Sequence, residues 1–198
     1  NLAIASRKFY ECFLKRKHWS PVHIVAYSGD LRLCMHIFEK LKMKDPRFLP
    51  FHNAASGGSK EIHRYLMNNV KEINPENDTG HTPLFLASEM GHFEICKLII
   101  DDVDEKNPAT KKGFTPLYVA AHNGHFEICK IIIDNVDEKN PANFNGTTPL
   151  YMAAQNGHFD ICKLIIDNVD NKNPANNRGC TPLYVAAQKG YYDICKII

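Results

Sequence analysis

Apolar positions along this chain fall into two alternating patterns. In one copy, Leu150, Ala153 and Ala154 make a narrow stripe at i, i+3 and i+4, the spacing of one helix face. After Gly157 the pattern changes. Ile161, Leu164 and Ile165 share one face, and Phe159, Cys162 and Ile166 share a second, rotated by roughly a quarter turn at 3.6 residues per turn. One stripe would suffice to close a helical hairpin. The second implies that the hairpin stacks on a neighbour. Thr148 is placed to cap the first helix, Pro149 to open it where a missing N–H is harmless, and Gly157 to end it. Asp160, Lys163 and Asp167 occupy the remaining face and are expected to be solvated, as are Glu94, Lys97 and Asp101, and Glu127, Lys130 and Asp134. Helix pairs are predicted near 21–42, 50–69, 83–102, 116–135 and 149–168, with a last pair opening at Pro182. Asn-Pro segments lead to tips ending in Gly80, Gly113, Gly146 and Gly179, which suit tight β-turns.

The pattern repeats with a fixed period. Thr-Pro-Leu-aromatic occurs four times, and its prolines, Pro83, Pro116, Pro149 and Pro182, stand 33 residues apart. Looser copies run from Ser20 to Ala26 and from Leu49 to Ala55; the first unit is four residues short, around Leu41 to Leu49. The copy from Asn143 to Cys162, with Gly146, Thr148-Pro149-Leu150, Ala153-Ala154, Gly157-His158 and Ile161, resembles the ankyrin repeat family. The resemblance covers residues 19–198. It implies an all-α solenoid of stacked helix-turn-helix units with short β-hairpin finger loops. The expected units are 19–47, 48–80, 81–113, 114–146, 147–179 and a truncated 180–198. Residues 1–18 do not fit the period. Phe9, Tyr10, Phe13 and Leu14 have helical spacing among Arg7, Lys8, Lys15, Arg16 and Lys17, and are read as a degenerate N-terminal capping helix. A start at Asn1 and a stop at Ile198 within an apolar run suggest a piece of a longer protein.

Two departures from the family pattern stand out. Phe85, Tyr118, Tyr151 and Tyr184 replace the histidine that follows Thr-Pro-Leu and braces the turn; only His23 and His52 keep it. Val103, Val136 and Val169 replace the glycine after the second helix, and are expected to pack inward because valine disfavours positive φ.

Composition narrows the function class. Lys plus Arg is 24 and Asp plus Glu is 22, a net charge of +2, which argues against nucleic acid as the partner. No apolar run is long enough for membrane insertion. Of seven cysteines, Cys34, Cys96, Cys129, Cys162 and Cys195 share one repeat position. Stacked helices lie about 8–10 Å apart, too far for disulfides or a shared zinc ion, so these are read as small buried fillers. Buried thiols suit an intracellular compartment, cytoplasmic or nuclear. Cys12 and Cys180 lie outside the ladder. His92, His125 and His158 follow the inter-helix glycine and are read as structural. No nucleophile–base motif, phosphate loop or metal motif occurs, so no catalytic residue, metal or cofactor is expected.

The remaining signal is variation between near-identical units, which falls at finger tips and at the ends of first helices. The varying positions are Asp78, Thr79, His81, Glu89 and Met90; Lys111, Lys112, Phe114, His122 and Asn123; Phe144, Asn145, Thr147, Gln155 and Asn156; and Asn177, Arg178, Cys180, Gln188 and Lys189. The resemblance implies that fingers and first helices build a concave binding face. Basic groups beside Phe114 and Phe144 suit an acidic or polar protein segment with an apolar anchor. A protein-interaction scaffold or recognition arm is therefore expected. The alternative is a tethering or regulatory array of a larger enzyme or ion channel.

Overall fold

The computed structural model describes residues 29–32, 35 and 50–198. The capping helix expected at 1–18, all of the helix pair expected at 21–42 except residues 29–32 and 35, and Cys12, Cys34 and His23 lie outside the described residues. Within them, five helix pairs follow one another: α1 Pro50–Gly57 and α2 Lys60–Asn69; α3 Pro83–Met90 and α4 Phe93–Asp102; α5 Pro116–Asn123 and α6 Phe126–Ile133; α7 Pro149–Asn156 and α8 Phe159–Ile166; α9 Pro182–Lys189 and α10 Tyr192–Ile197. First helices pack on first helices and second on second, so each pair meets only its neighbours along the stack.

Each first helix from α3 onward starts in the same way. The hydroxyl oxygens of Thr82, Thr115, Thr148 and Thr181 accept from the backbone N–H groups of Phe85, Tyr118, Tyr151 and Tyr184, and proline opens the helix one residue after the threonine. Each stops at a glycine in the left-handed region, such as Gly91 at φ 80°. The second helices leave differently. Val70 and Val103 cap α2 and α4 in extended conformations, while Asp134 and Asp167 cap α6 and α8 in right-handed ones. Val103, Val136 and Val169 pack half-buried against the core, as their side chains require.

The core is one continuous cluster from Ala55 to Ile194. Leu84, Leu117 and Leu150 are fully buried, as are the small residues Ala87, Ala120 and Ala153 beside them. Burial of each leucine contributes about 2 kcal/mol. The alanines let adjacent first helices approach. A smaller cluster of Phe51, Ala54, Ile62 and Leu66 holds the first described pair. The second stripe is less buried than expected at one position: Cys162 and Ile166 are buried, but Phe159 and its equivalent Phe126 stay exposed. These phenylalanines are the first residues of their helices. The charged faces behave as expected: Asp160, Lys163 and Asp167 are exposed, and Lys60 on α2 pairs with Glu94 on α4.

Candidate functional site

The fingers are turns, with no strand among the described residues. Each is pinned by one polar residue that no sequence argument singled out. Asn143 donates its N–H to the Thr147 carbonyl at 2.9 Å, and its side-chain Oδ1 accepts from the N–H groups of Asn145 and Thr147 at 2.9 and 3.0 Å. Asn77 and Asn176 do the same in their fingers, and Thr110 substitutes with its hydroxyl, which accepts from Phe114 N–H at 3.0 Å. A second asparagine, that of each Asn-Pro pair, holds the start of the following first helix. Oδ1 of Asn74, Asn107, Asn140 and Asn173 accepts from the N–H of Leu84, Leu117, Leu150 and Leu183 at 2.9 Å. Where the histidine is kept, His52 Nε2 meets the His81 carbonyl oxygen at 2.8 Å and ties one unit to the next finger. The recurrence of Asn eight residues before each Thr-Pro, and five residues before three of the four, was the signal available for these roles.

Neighbouring fingers are also joined. Asn177 donates its backbone N–H to the Asn145 carbonyl at 3.0 Å and its Nδ2 to the Phe144 carbonyl at 3.0 Å. The row is therefore a semi-rigid edge carrying the variable side chains. Asp78, Thr79, Lys111, Lys112, Phe144, Asn145, Asn177 and Arg178 are exposed on it. Phe144 is 73% exposed, with one ring edge against Gly113.

The other varying positions divide. Met90, Gln188 and Lys189 are exposed at the ends of first helices, and Glu89, Gln155, Thr147 and Cys180 are half-buried. His122 is exposed, but Asn123 and Asn156 are engaged within the array: Asn123 Nδ2 donates to the Glu89 carbonyl at 3.0 Å, and Asn156 Nδ2 to the His122 carbonyl at 3.2 Å. Phe114 is half-buried, its ring 5.0 Å from Tyr118, because the aromatic that replaced the histidine offers a surface to pack on. His81 stacks on Phe85 in the same way at 4.5 Å. Tyr118, Tyr151 and Tyr184 thus form a phenolic row beneath the fingers. Desolvation first, and the neighbouring phenol of Tyr151 second, push the Tyr118 hydroxyl above its ordinary range, so it stays a hydrogen-bond donor.

Chemistry elsewhere is muted. Burial pushes the thiols of Cys96 and Cys162 up to about 12 and raises Cys129 further, leaving little reactive thiolate. His92, His125 and His158 hold carbonyls of the preceding unit. No group of three or more His, Cys, Asp or Glu among the described residues is placed to share a metal ion, and no described helix is long and apolar enough to cross a membrane.

A family model described as ankyrin repeats (3 copies) matches the chain over residues 22–108, 51–143, 101–173 and 135–198. The comparison with curated proteins gave no match. Stacked helix pairs with Thr-Pro openings, left-handed glycine exits and projecting turns, matched by that model along nearly the whole chain, make this protein a member of the ankyrin repeat family.

Proposed function

We propose that this chain is a recognition module that binds a protein partner along its finger row and the adjoining first helices. Ankyrin repeats are in general protein–protein interaction modules and typically non-enzymatic. The observation that supports this surface is the setting of Phe144. Its ring is 73% exposed on a finger joined by hydrogen bonds to the finger of Arg178 on one side and, through the Lys112 carbonyl at 3.4 Å, to the Lys111–Lys112 finger on the other. An apolar anchor between cations suits an acidic or polar segment of a partner protein. On this reading residues 19–198 are about six repeats presenting one continuous surface, and the buried thiols suit a reducing, intracellular compartment.

The test is affinity capture from the native source followed by binding measurements on the captured partner. Phe144→Ala is expected to weaken binding by about 1–3 kcal/mol. Lys111→Glu with Lys112→Glu is expected to slow association in a salt-dependent way. The charge changes Lys130→Glu and Lys163→Glu on the second helices serve as controls. Equal sensitivity of both faces would refute the assignment.

A further inference from the structure

The loops that leave the second helices are not equivalent. In two of them a lysine turns back on the helix end. Lys106 Nζ donates to the carbonyls of Ile100 and Val103, the latter at 2.9 Å, and Lys139 Nζ donates to the Ile133 carbonyl at 3.1 Å. These ammonium groups complement the negative helix terminus. The position 33 residues before Lys106 is Ile73. Its side chain brings no charge and packs half-buried against the Phe51, Ile62 and Leu66 cluster. The same loop has Glu76 where the next has Ala109, and Asp78 where the next has Lys111.

A cleft of about 970 Å³ lies between this loop and the one after α4. Glu72, Glu76 and Asp78 line one side and Asp102, Asp104 and Glu105 the other; Lys71 is the only cation among the described lining residues. All six carboxylate side chains belong to exposed residues, and none makes an ion pair among the described residues. Ile73, Pro75, Val103 and Pro108 supply an apolar lining. A second hollow of about 760 Å³ shares Lys71, Ile73 and Asp102 and continues the groove past Val70 to Met67 and Leu98, with Arg64, Asn68 and Asn69 also on its wall.

We propose that this groove docks a basic, extended peptide segment of a partner protein, with its Lys or Arg side chains on the carboxylates and an apolar side chain over Ile73 and Val103. Charge complementarity selects this occupant: six carboxylates against the two cations Lys71 and Arg64 repel an acidic segment and concentrate a cationic one. Met67, Val70 and Leu98 in the continuation give a peptide apolar contacts that a small cation cannot use. The groove is independent of the finger row, which calls for the opposite charge. The two surfaces adjoin at Asp78 and Thr79.

The probes are a short fluorescent peptide of Arg and Lys around a central Leu, and the same peptide with Glu at every basic position. Anisotropy is read against the full chain at low and high salt. The basic peptide is expected to bind, with affinity falling as salt rises, and the acidic one not to bind. Ile73→Lys, which installs the lysine of the sister loops, is expected to weaken binding about ten-fold. Glu76→Ala with Asp104→Ala removes only exposed groups and is expected to weaken it about five-fold. Asp137→Ala with Glu138→Ala in the following loop is expected to leave it unchanged. Circular dichroism checks that each variant is folded. Unchanged affinity in folded groove variants, equal loss in the following-loop variant, or full displacement of the peptide by equimolar calcium would overturn the proposal.

Discussion

The imidazole of His125 rests on the α-carbon of Gly91, so closely that a Cβ built there would meet Cε1 of the ring at 2.7 Å. The same ring reaches the Glu89 carbonyl oxygen at 3.2 Å through Nε2. His92 stands over Gly58, His158 over Gly124 and Tyr191 over Gly157 in the same relation. Each of these glycines therefore meets two demands, a left-handed φ and a neighbour's ring on its open side.

The two demands separate experimentally. Gly91→Ala and Gly124→Ala are expected to lose about 2–4 kcal/mol, the sum of left-handed strain and overpacking. Gly190→Ala shares the φ of 79° but has nothing within 4 Å of the added carbon, and is expected to lose only about 1 kcal/mol. Urea denaturation of the three variants measures the difference. Equal losses would mean that the ring contact contributes nothing.

His63 occupies the rung of the cysteine ladder that precedes Cys96, and it is fully buried with neither ring nitrogen hydrogen-bonded. Phe51 packs edge-on to it at 5.1 Å. Burial lowers its pKa from 6.5 to about 4. The folded chain thus keeps it neutral while the unfolded chain takes up a proton. Its contribution is fully present above about pH 6.5 and is lost as pH falls through about 4, up to roughly 3 kcal/mol. His63→Cys, the residue of the sister units, should lose less stability between pH 7 and pH 4 than the native chain. Parallel denaturation curves at the two pH values would show no such difference if the idea is wrong.

How much of this was legible beforehand differs by feature. Helix placement was readable because Thr148, Pro149 and Gly157 act within their own turn, and the structure uses each as its chemistry suggests. Inward packing of Val103 followed from its side chain alone. The pins were not read, since Asn140 acts ten residues away on Leu150 and only folded geometry brings them together. Asn123 and Asn156 looked free for a partner because they vary, yet each reaches a carbonyl in the preceding unit. Phe114 looked exposed for the same reason, and Tyr118 covers it. The acidic groove escaped notice because it depends on Ile73 standing where a lysine closes the other loops.

Thiol labelling should sort the cysteines by depth. Cys96, Cys129 and Cys162 are fully buried with raised pKa values, so a maleimide should modify them only after denaturant is added. Cys180 and Cys195 are half-buried and should react first. Mass spectrometry of the partly labelled protein identifies the sites, and early modification of Cys129 would contradict the packing described.

Amide exchange should be fastest in α9 and α10. Leu183 is 37% exposed, whereas Leu84, Leu117 and Leu150 are fully buried at the same position, and Tyr192 is 70% exposed. Fewer buried contacts mean a lower cost of local opening. Protection equal to that of α5 and α6 through Ile197 would show that these contacts do not set the opening energy.

The bonds between units have a further consequence. Asn123 reaches back 34 residues, as does Asn156; Asn177 reaches 33 and His158 reaches 36. Each link is thus written in the same local coordinates, whichever unit it leaves. Excising residues 114–146 would splice Gly113 to Thr147 and bring His158 to the carbonyl of Glu89, where His125 had been. A gene encoding such a chain can lengthen or shorten in whole units by unequal crossing-over and keep every joint in register, so reach becomes a trait selectable apart from fold.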